Sequence, residues 1–237
     1  MHLARMGEYS FRYRGILLPL AIVILLIPSP PLVENPAGIG VLGFLIALIG
    51  QGIRVGTIGL AYIIRGGKDH RVYAEELVTS GIYAHVRNPM YVGNAFLLAG
   101  LAVASNSWVF VLIGVPIALA VHAFIIAAEE DFLRRKFGAQ YDAYCARVPR
   151  LIPKLPGMAA TFRQMRFDWR KVILQEYAKP FDWLVAIAIV AIVNLWLAGL
   201  ADDYPGLIAF FVLAIVARLA LWAMAGRLKA HAAGPAA

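Results

Sequence analysis

A polar segment lying between two long apolar runs contains residue types suited to binding a charged ligand. Residues 77–93 read LVTSGIYAHVRNPMYVG. Asn88 followed by Pro89 is typical of a helix start, because Asn caps free amide groups and Pro fits the first helical position. Three larger side chains surround that start: Tyr83, Arg87 and Tyr91. Unpaired N–H groups and the positive end of a helix dipole hold anions. The segment therefore predicts either an anion-binding site or a plain loop that enters a membrane helix.

A second group of candidates is the acidic run Glu129, Glu130 and Asp131. At helical spacing Glu130 is predicted to pair with Arg134, and Asp131 with Arg135. Glu129 instead shares a face with apolar side chains four residues before and after it. A carboxylate on such a face near a membrane is a functional candidate. His122, seven residues earlier on the same face, is predicted either to line a substrate tunnel or to be hydrogen-bonded within a helix bundle.

The composition indicates a polytopic membrane protein. Of 237 residues, 61% are hydrophobic and the mean hydropathy is +0.73, which excludes an ordinary soluble domain. The single cysteine, Cys145, excludes an internal disulfide, and no pattern indicates a structural metal site. The net charge of +8 is better explained by basic cytoplasmic loops than by nucleic-acid binding.

An all-α transmembrane bundle is therefore expected, with six spans. They are predicted at about 15–33, 37–64, 89–105, 108–128, 181–200 and 206–226, with the fourth continuing as a helix to residue 137. Nearly all Lys and Arg residues fall in segments on one side, so both termini are predicted to be cytoplasmic. Arg54, in the second span, is expected to have a buried partner, and Arg218, in the sixth, to snorkel. Gly52 and Gly56 are spaced for close helix approach.

Four regions follow from this reading. They are an N-terminal anchor helix (1–36), a core that holds both polar groups (37–157), an amphipathic helix at the membrane surface (158–180) and a C-terminal transmembrane hairpin (181–237). Basic side chains face one side of residues 160–178 and apolar side chains face the other, which is typical of a helix in the headgroup layer. The hairpin is expected to be a packing module or a dimer contact.

The two polar groups together resemble a known family. Gly-x-Tyr-x-x-x-Arg-Asn-Pro-x-Tyr-x-Gly at 81–93 is similar to the signature of the isoprenylcysteine carboxyl methyltransferases and related phospholipid methyltransferases. A second block, in the correct order, begins at Glu129-Glu130 and ends at Val148-Pro149-Arg150 and Pro153. The resemblance covers about residues 40–155. It implies methyl transfer from S-adenosylmethionine to a lipid-like or prenylated acceptor, at a site that faces the cytoplasm.

The resemblance also implies which residues bind the cofactor. They are Lys68, Glu75, Leu77, Val78, Tyr83, Arg87, Asn88, Pro89, Met90, Tyr91 and Glu129. Glu129 is expected to bind the amino group of the cofactor. His122 and Ile125 would line the acceptor site, and Glu129 and His122 are the candidates for a general base.

One departure concerns the acceptor. The eukaryotic carboxyl methyltransferases of this family have an arginine where this chain has Ile125. Phospholipid N-methyl transfer therefore stays open as an alternative. A membrane NADPH-dependent reductase is less favoured, because such reductases carry an acidic residue where Asn94 follows Gly93. A scaffold without catalytic activity is the remaining alternative.

Overall fold

The computed structural model describes residues 23–60, 75–177 and 183–233, and these residues form helices without strands. Eight α-helices follow in chain order within these ranges: α1 (Ala37–Leu60), α2 (Pro89–Ala104), α3 (Val115–Phe137), α4 (Ala139–Arg147), α5 (Met158–Gln164), α6 (Trp169–Gln175), α7 (Trp183–Leu197) and α8 (Pro205–Ala233). Short 3-10 turns occur at Ile24–Leu26 and Gly81–Ala84, and a π turn at Phe110–Gly114 leads into α3. The predicted all-α class is confirmed.

The predicted spans agree with these helices where the structure describes them. Three segments are long and apolar enough to cross a membrane: Ala37–Leu60, Phe110–Phe137 and Pro205–Lys229. Two shorter apolar helices, Pro89–Ala104 and Trp183–Leu197, correspond to the third and fifth predicted spans. Most of the first predicted span lies outside the described residues, and its described part is helical only at 23–26. The prolines that follow cannot continue a helix.

The described residues fall into two compact units. The first contains residues 23–28, 60, 75–92 and 109–165, and the second contains 29–59, 93–108, 166–177 and 183–233. Both polar groups singled out in the sequence lie in the first unit, apart from Gly93. The second unit contains most of α1 and α2 and the whole of the C-terminal hairpin.

In the second unit, α1 and α2 approach each other through glycines. A Cβ atom on Gly43 would lie 2.5 Å from the Gly100 carbonyl, and one on Gly50 would lie 2.6 Å from the Gly93 carbonyl. These glycines are spaced seven residues apart on each helix, so the backbones meet on one seam. Gly52 and Gly56 do not make the predicted close approach to another described helix, because no described residue lies within 4 Å of a Cβ at either position.

Arg54 has the buried partner that the sequence predicts. Its Nε and Nη2 donate to the two carboxylate oxygens of Glu176 at 2.6 and 2.7 Å. Its Nη1 donates to Asn94 Oδ1, and Gln51 Nε2 adds a third donor to Glu176 at 3.1 Å. We call these four residues the Arg54–Glu176 cluster. Paired charges of this kind make a partly buried arginine tolerable in an apolar unit.

The C-terminal hairpin packs within the second unit. Asn194 of α7 donates to the carbonyls of Ala104 and Ser105 at 2.9 and 3.0 Å, which satisfies acceptors left free at the end of α2. The snorkelling predicted for Arg218 is wrong. Its side chain is buried, and its guanidinium lies 5.0 Å from the ring centroid of Tyr177, because an aromatic face offers a cation a partner inside the unit.

The segment expected to form one amphipathic helix instead forms α5 and α6. The interruption at 165–168 ends in Asp168, whose Oδ1 accepts from the Lys171 backbone N–H at 2.9 Å. An aspartate that caps a new helix start explains the break. Burial lowers the pKa of Lys171, although the charge of Asp168 acts in the opposite direction.

Candidate active site

The signature segment folds as a turn followed by a helix start. Gly81 has φ +62°, which glycine adopts without strain, and it opens the 3-10 turn. Helix α2 then begins at Pro89 as predicted. The capping role predicted for the Asn88 side-chain oxygen stays a prediction, and the amide nitrogen of this side chain has other partners. Its Nδ2 donates to Glu130 Oε1 at 3.2 Å and to the Arg150 carbonyl at 3.3 Å, because a buried carboxylate requires donors.

Glu130 is the centre of a buried polar network, which we call the Glu130 cluster. Its side chain is 10% exposed and binds Arg150 Nη2 at 2.8 Å. Arg150 Nε and Arg87 Nη1 lie 3.1 and 3.4 Å from its Oε1, and Asn88 completes the set. Four donor groups from two distant segments therefore converge on one carboxylate.

The predicted pairing of Glu130 with Arg134 is wrong. Arg134 Nε binds Asp142 of α4 at 2.9 Å, and both side chains are half exposed. The neighbouring prediction is confirmed, since Arg135 Nη1 binds Asp131 Oδ2 at 3.0 Å. Adjacent residues on a helix point in different directions, so Glu130 faces inward while Asp131 faces outward.

Glu129 lies beside the signature helix. The hydroxyl of Tyr91 donates to Glu129 Oε1 at 3.0 Å. The Tyr91 ring also contacts His122 edge to face, with the centroids 6.0 Å apart. His122 is buried, and its Nδ1 bonds the Ala118 carbonyl one turn earlier at 2.8 Å. Residues from both sequence blocks, 38 positions apart, therefore meet in one contact.

Arg87 links the Glu130 cluster to the single cysteine. Its Nη1 lies 2.8 Å from Cys145 Sγ. Among the described residues its buried Nε has no hydrogen-bond partner, and this donor is suited to an anionic group. Burial favours a lower pKa for Arg87, but the charge of Glu130 and contacts with Cys145 hold that pKa above its usual value. Burial, followed by the charge of Glu130, raises the pKa of nearby Tyr141.

The other predicted site residues occupy different environments. Tyr83 is buried in an apolar cluster against which Val78 packs, while Leu77 packs against Tyr141 and Tyr144. Glu75 is exposed, Met90 is half-buried, Pro89 is buried, and Ile125 is buried in α3. Lys68 lies outside the described residues. Their predicted roles toward a cofactor stay predictions.

The structure adds two residues that the sequence did not single out for a role. Arg150 closes the Glu130 cluster. His85 is buried, and its Nδ1 and Nε2 lie 2.9 Å from the Lys154 carbonyl and from Thr161 Oγ1. The order Val148-Pro149-Arg150 within the second sequence block was a signal for Arg150. His85 lies inside the signature, but no spacing rule connects it with position 154 or 161.

Comparison with known proteins shows that part of this chain is similar to a known family. Residues 39–140 match the phospholipid methyltransferase family. The matched range includes the signature segment and both glutamates, so the resemblance inferred from the sequence is confirmed. It ends before Arg150, which contributes to the Glu130 cluster.

Two curated relatives share part of the chain. One is the protein-S-isoprenylcysteine O-methyltransferase of Schizosaccharomyces pombe, 36% identical over 89 residues, which are 38% of this chain and 36% of the relative. The other is the nickel-cobalt-cadmium resistance protein NccN of Alcaligenes xylosoxydans xylosoxydans, 31% identical over 120 residues, 49% of each protein. The chain thus spans half or less of the length of these relatives. No solved structure matches it significantly.

Proposed function

We propose that this protein is an integral membrane methyltransferase that uses S-adenosylmethionine and acts on a lipid-like or prenylated acceptor. The observation that carries the proposal is the 3.0 Å hydrogen bond from Tyr91 to Glu129. It joins the two sequence blocks inside the range that matches the phospholipid methyltransferase family. The S. pombe relative, named as an isoprenylcysteine O-methyltransferase, supports an acceptor with a long apolar portion.

The residues at this place fit the two charges of the cofactor's amino-acid portion. Glu129 offers a carboxylate to an ammonium group, and Tyr91 fixes one of its oxygens. Arg87 offers its buried Nε–H, which has no partner among the described residues, to a carboxylate. Asn88, Pro89 and Met90 would form the adjoining wall at the start of α2. When bound, the cofactor supplies a methyl group on an activated sulfonium.

The catalytic contribution of the protein would then be alignment and exclusion of water. The Glu130 cluster holds the signature loop against the segment after α4 through Asn88, Arg87 and Arg150. A carboxylate or thiolate acceptor requires no general base at neutral pH. For such an acceptor, Tyr91 and Glu129 orient the reactants and transfer no proton.

A phospholipid amine is the second acceptor class, and the name of the matched family favours it. An amine must lose a proton before it attacks. Glu129 and His122 are the candidate bases, and both contact Tyr91. Methylated head groups would be the product.

The proposal is tested by labelled-methyl transfer from S-adenosylmethionine to prenylcysteine, phosphatidylethanolamine and a small thiol, with the full chain in lipid. We expect transfer to at least one of the first two acceptors. Glu129→Gln should lower it at least about tenfold, the value of a charge-assisted hydrogen bond. Arg134→Ala, which removes an exposed pair, is the matched control. Labelling of none of the three acceptors by the unaltered protein would exclude these acceptor classes.

We also propose that the site faces the cytoplasm. Cysteines introduced at positions 34 and 203, in a Cys145→Ser background, should react with an impermeant reagent only from outside. A cysteine at position 140 should react only from the cytoplasm. Labelling of position 140 from outside would overturn this orientation.

A further inference from the structure

The segment that follows α4 is bonded to the signature segment along its length. The Arg87 N–H donates to the Pro149 carbonyl at 2.9 Å, and the Lys154 N–H donates to the His85 carbonyl at 2.9 Å. Asn88 Nδ2 reaches the Arg150 carbonyl at 3.3 Å. We call residues 150–156 the lip. Bonds on both sides of its centre fix the lip beside the candidate site.

Next to the residues that make these bonds, the lip exposes large apolar side chains. Ile152 is 81% exposed, Leu155 is 73% exposed and Leu151 is 42% exposed. These residues belong to no helix, so they are not the lipid-facing side of a span. Pro153 and Pro156 restrict the backbone around them. Exposed apolar residues this close together on a connecting segment indicate a surface that meets an apolar phase.

The charges around the lip indicate what that phase is. Residues 143–165 include four basic residues, Arg147, Arg150, Lys154 and Arg163, and no acidic residue. Arg150 is 47% exposed in its side chain even though it binds Glu130, and the other three are exposed. Apolar side chains within a set of basic ones are typical of segments that lie in an anionic headgroup layer.

We propose that the lip inserts into the headgroup layer of the protein's own membrane, with Ile152 and Leu155 below the phosphates. The basic residues bind anionic head groups around them. This places a lipid surface directly beside Asn88 and Arg87, because Asn88 is bonded to Arg150 of the lip and Arg87 to Pro149 immediately before it. If the proposed function holds, a lipid-borne acceptor would pass along the lip as it moves from the bilayer to the site. This assignment rests on the proposed function.

Insertion is tested with the full chain in nanodiscs, in a Cys145→Ser background. An environment-sensitive fluorophore is attached to Ile152→Cys or Leu155→Cys, and to Ala146→Cys on the exposed side of α4 as the matched control. A quencher on the lipid acyl chain should quench positions 152 and 155 at least about twofold more than position 146. The difference should increase when phosphatidylglycerol replaces part of the phosphatidylcholine.

Two results would overturn insertion. One is equal lipid quenching at 146, 152 and 155. The other is protection of 152 from an aqueous quencher without quenching from lipid, which would mean that protein covers the lip. Neither measurement requires methyl transfer, so insertion is decided even if the proposed function fails.

The acceptor route is tested by Ile152→Ser combined with Leu155→Ser. The KM for a membrane-borne acceptor should increase about tenfold, as expected from losing the apolar surface of two side chains. The KM for S-adenosylmethionine and the kcat with a short, water-soluble acceptor should not change. Equal losses with both acceptors would overturn the route, whereas absence of transfer by the unaltered protein would overturn the proposed function and with it the route.

Discussion

The two compact units each contain a buried carboxylate that binds arginine, and they complete it differently. In the second unit, Glu176 takes both of its bonds to Arg54 in one bidentate pair, and Gln51 adds a donor. In the first unit, Glu130 forms a bidentate pair with Arg150 and binds a second arginine, Arg87, through its Oε1. Arg150 is half exposed, and Arg87 keeps a buried Nε without a partner among the described residues.

This difference separates a structural cluster from a candidate site. The Arg54–Glu176 cluster satisfies its charges within the unit and leaves its arginine little to offer a ligand. The donors of the Glu130 cluster lie on loops, where functional residues concentrate, and a second carboxylate, Glu129, lies next to Glu130 in the chain. A closed pair is expected to act on stability, and an open one on stability and binding together.

The largest expected effect is on the stability provided by the Arg54–Glu176 cluster. Glu176→Ala would leave the partly buried Arg54, 21% exposed in its side chain, without its carboxylate. Breaking a buried pair costs about 3–5 kcal/mol, so we expect the lower end of that range. Thermal or denaturant unfolding in detergent should show a loss of that order in the free energy of unfolding. Replacing both partners by methionine should recover most of it, because the unpaired charge is also removed.

Asp131→Ala is the matched control for this loss. Its partner Arg135 is 60% exposed, and exposed pairs contribute about 0.2–1 kcal/mol. If Glu176→Ala costs no more than Asp131→Ala, the Arg54–Glu176 cluster is not closed and the comparison fails.

The second expected effect is on the stability provided by the Glu130 cluster. Glu130→Gln keeps the shape of the side chain and an acceptor for Asn88, but removes the charge that binds Arg87 and Arg150. Hydrogen bonds to charged groups contribute about 1.5–3 kcal/mol, so unfolding should show a loss within that range. A double-mutant cycle with Arg150→Gln measures the coupling. Additive losses would show that the two side chains do not interact.

The sequence predicted the elements of this comparison better than their contacts. Apolar run lengths located the described spans, since a membrane helix requires about 20 apolar residues. The prolines and glycines also marked the start of α2. Helical spacing then assigned Glu130 to Arg134, although Glu130 in fact binds Arg150 from a loop. Spacing rules apply within one helix and carry no information on a partner supplied by another segment.

The same limit of spacing rules applies to the glycines at which α1 and α2 pack. A four-residue spacing indicated Gly52 and Gly56, whereas the close approach of α1 and α2 is at Gly43 and Gly50. Both pairs lie on the same helix, and only the position of the second helix distinguishes them. By contrast, the lone charge of Arg54 in an apolar run required a partner. The sequence therefore predicted that a buried partner exists, but not which residue it is.

The third expected effect concerns ligand binding and separates adjacent residues. Glu129→Gln should raise the dissociation constant for S-adenosylhomocysteine about tenfold or more, because the cofactor's ammonium would lose a charge-assisted bond. Its effect on stability should be smaller than that of Glu130→Gln. Calorimetry gives the affinity, and Arg134→Ala is the control, with an expected change below about 0.5 kcal/mol. Unchanged affinity in Glu129→Gln would remove Glu129 from the proposed site.

The smallest expected effect appears only at alkaline pH, and it tests whether the charge of Glu130 acts on its surroundings. Burial and the carboxylate of Glu130 raise the pKa of Tyr141, while an unfolded tyrosine titrates near about 10. The unfolded state therefore loses its proton first. The contribution of Tyr141 to stability is complete below about pH 10 and is lost as the pH rises toward its folded pKa. The slope for one such group is about 1.4 kcal/mol per pH unit.

Unfolding between neutral pH and pH ~11 should thus show a loss of about 1 kcal/mol from this residue at the upper end. Tyr141→Phe removes the titrating group and should flatten that part of the profile. Glu130→Gln should flatten it only in part, because burial of Tyr141 persists without the charge. An alkaline slope that is the same in the unaltered protein and in Tyr141→Phe would show that the phenol is not held protonated. Water would then reach the surroundings of Glu130 more readily than it reaches Glu176.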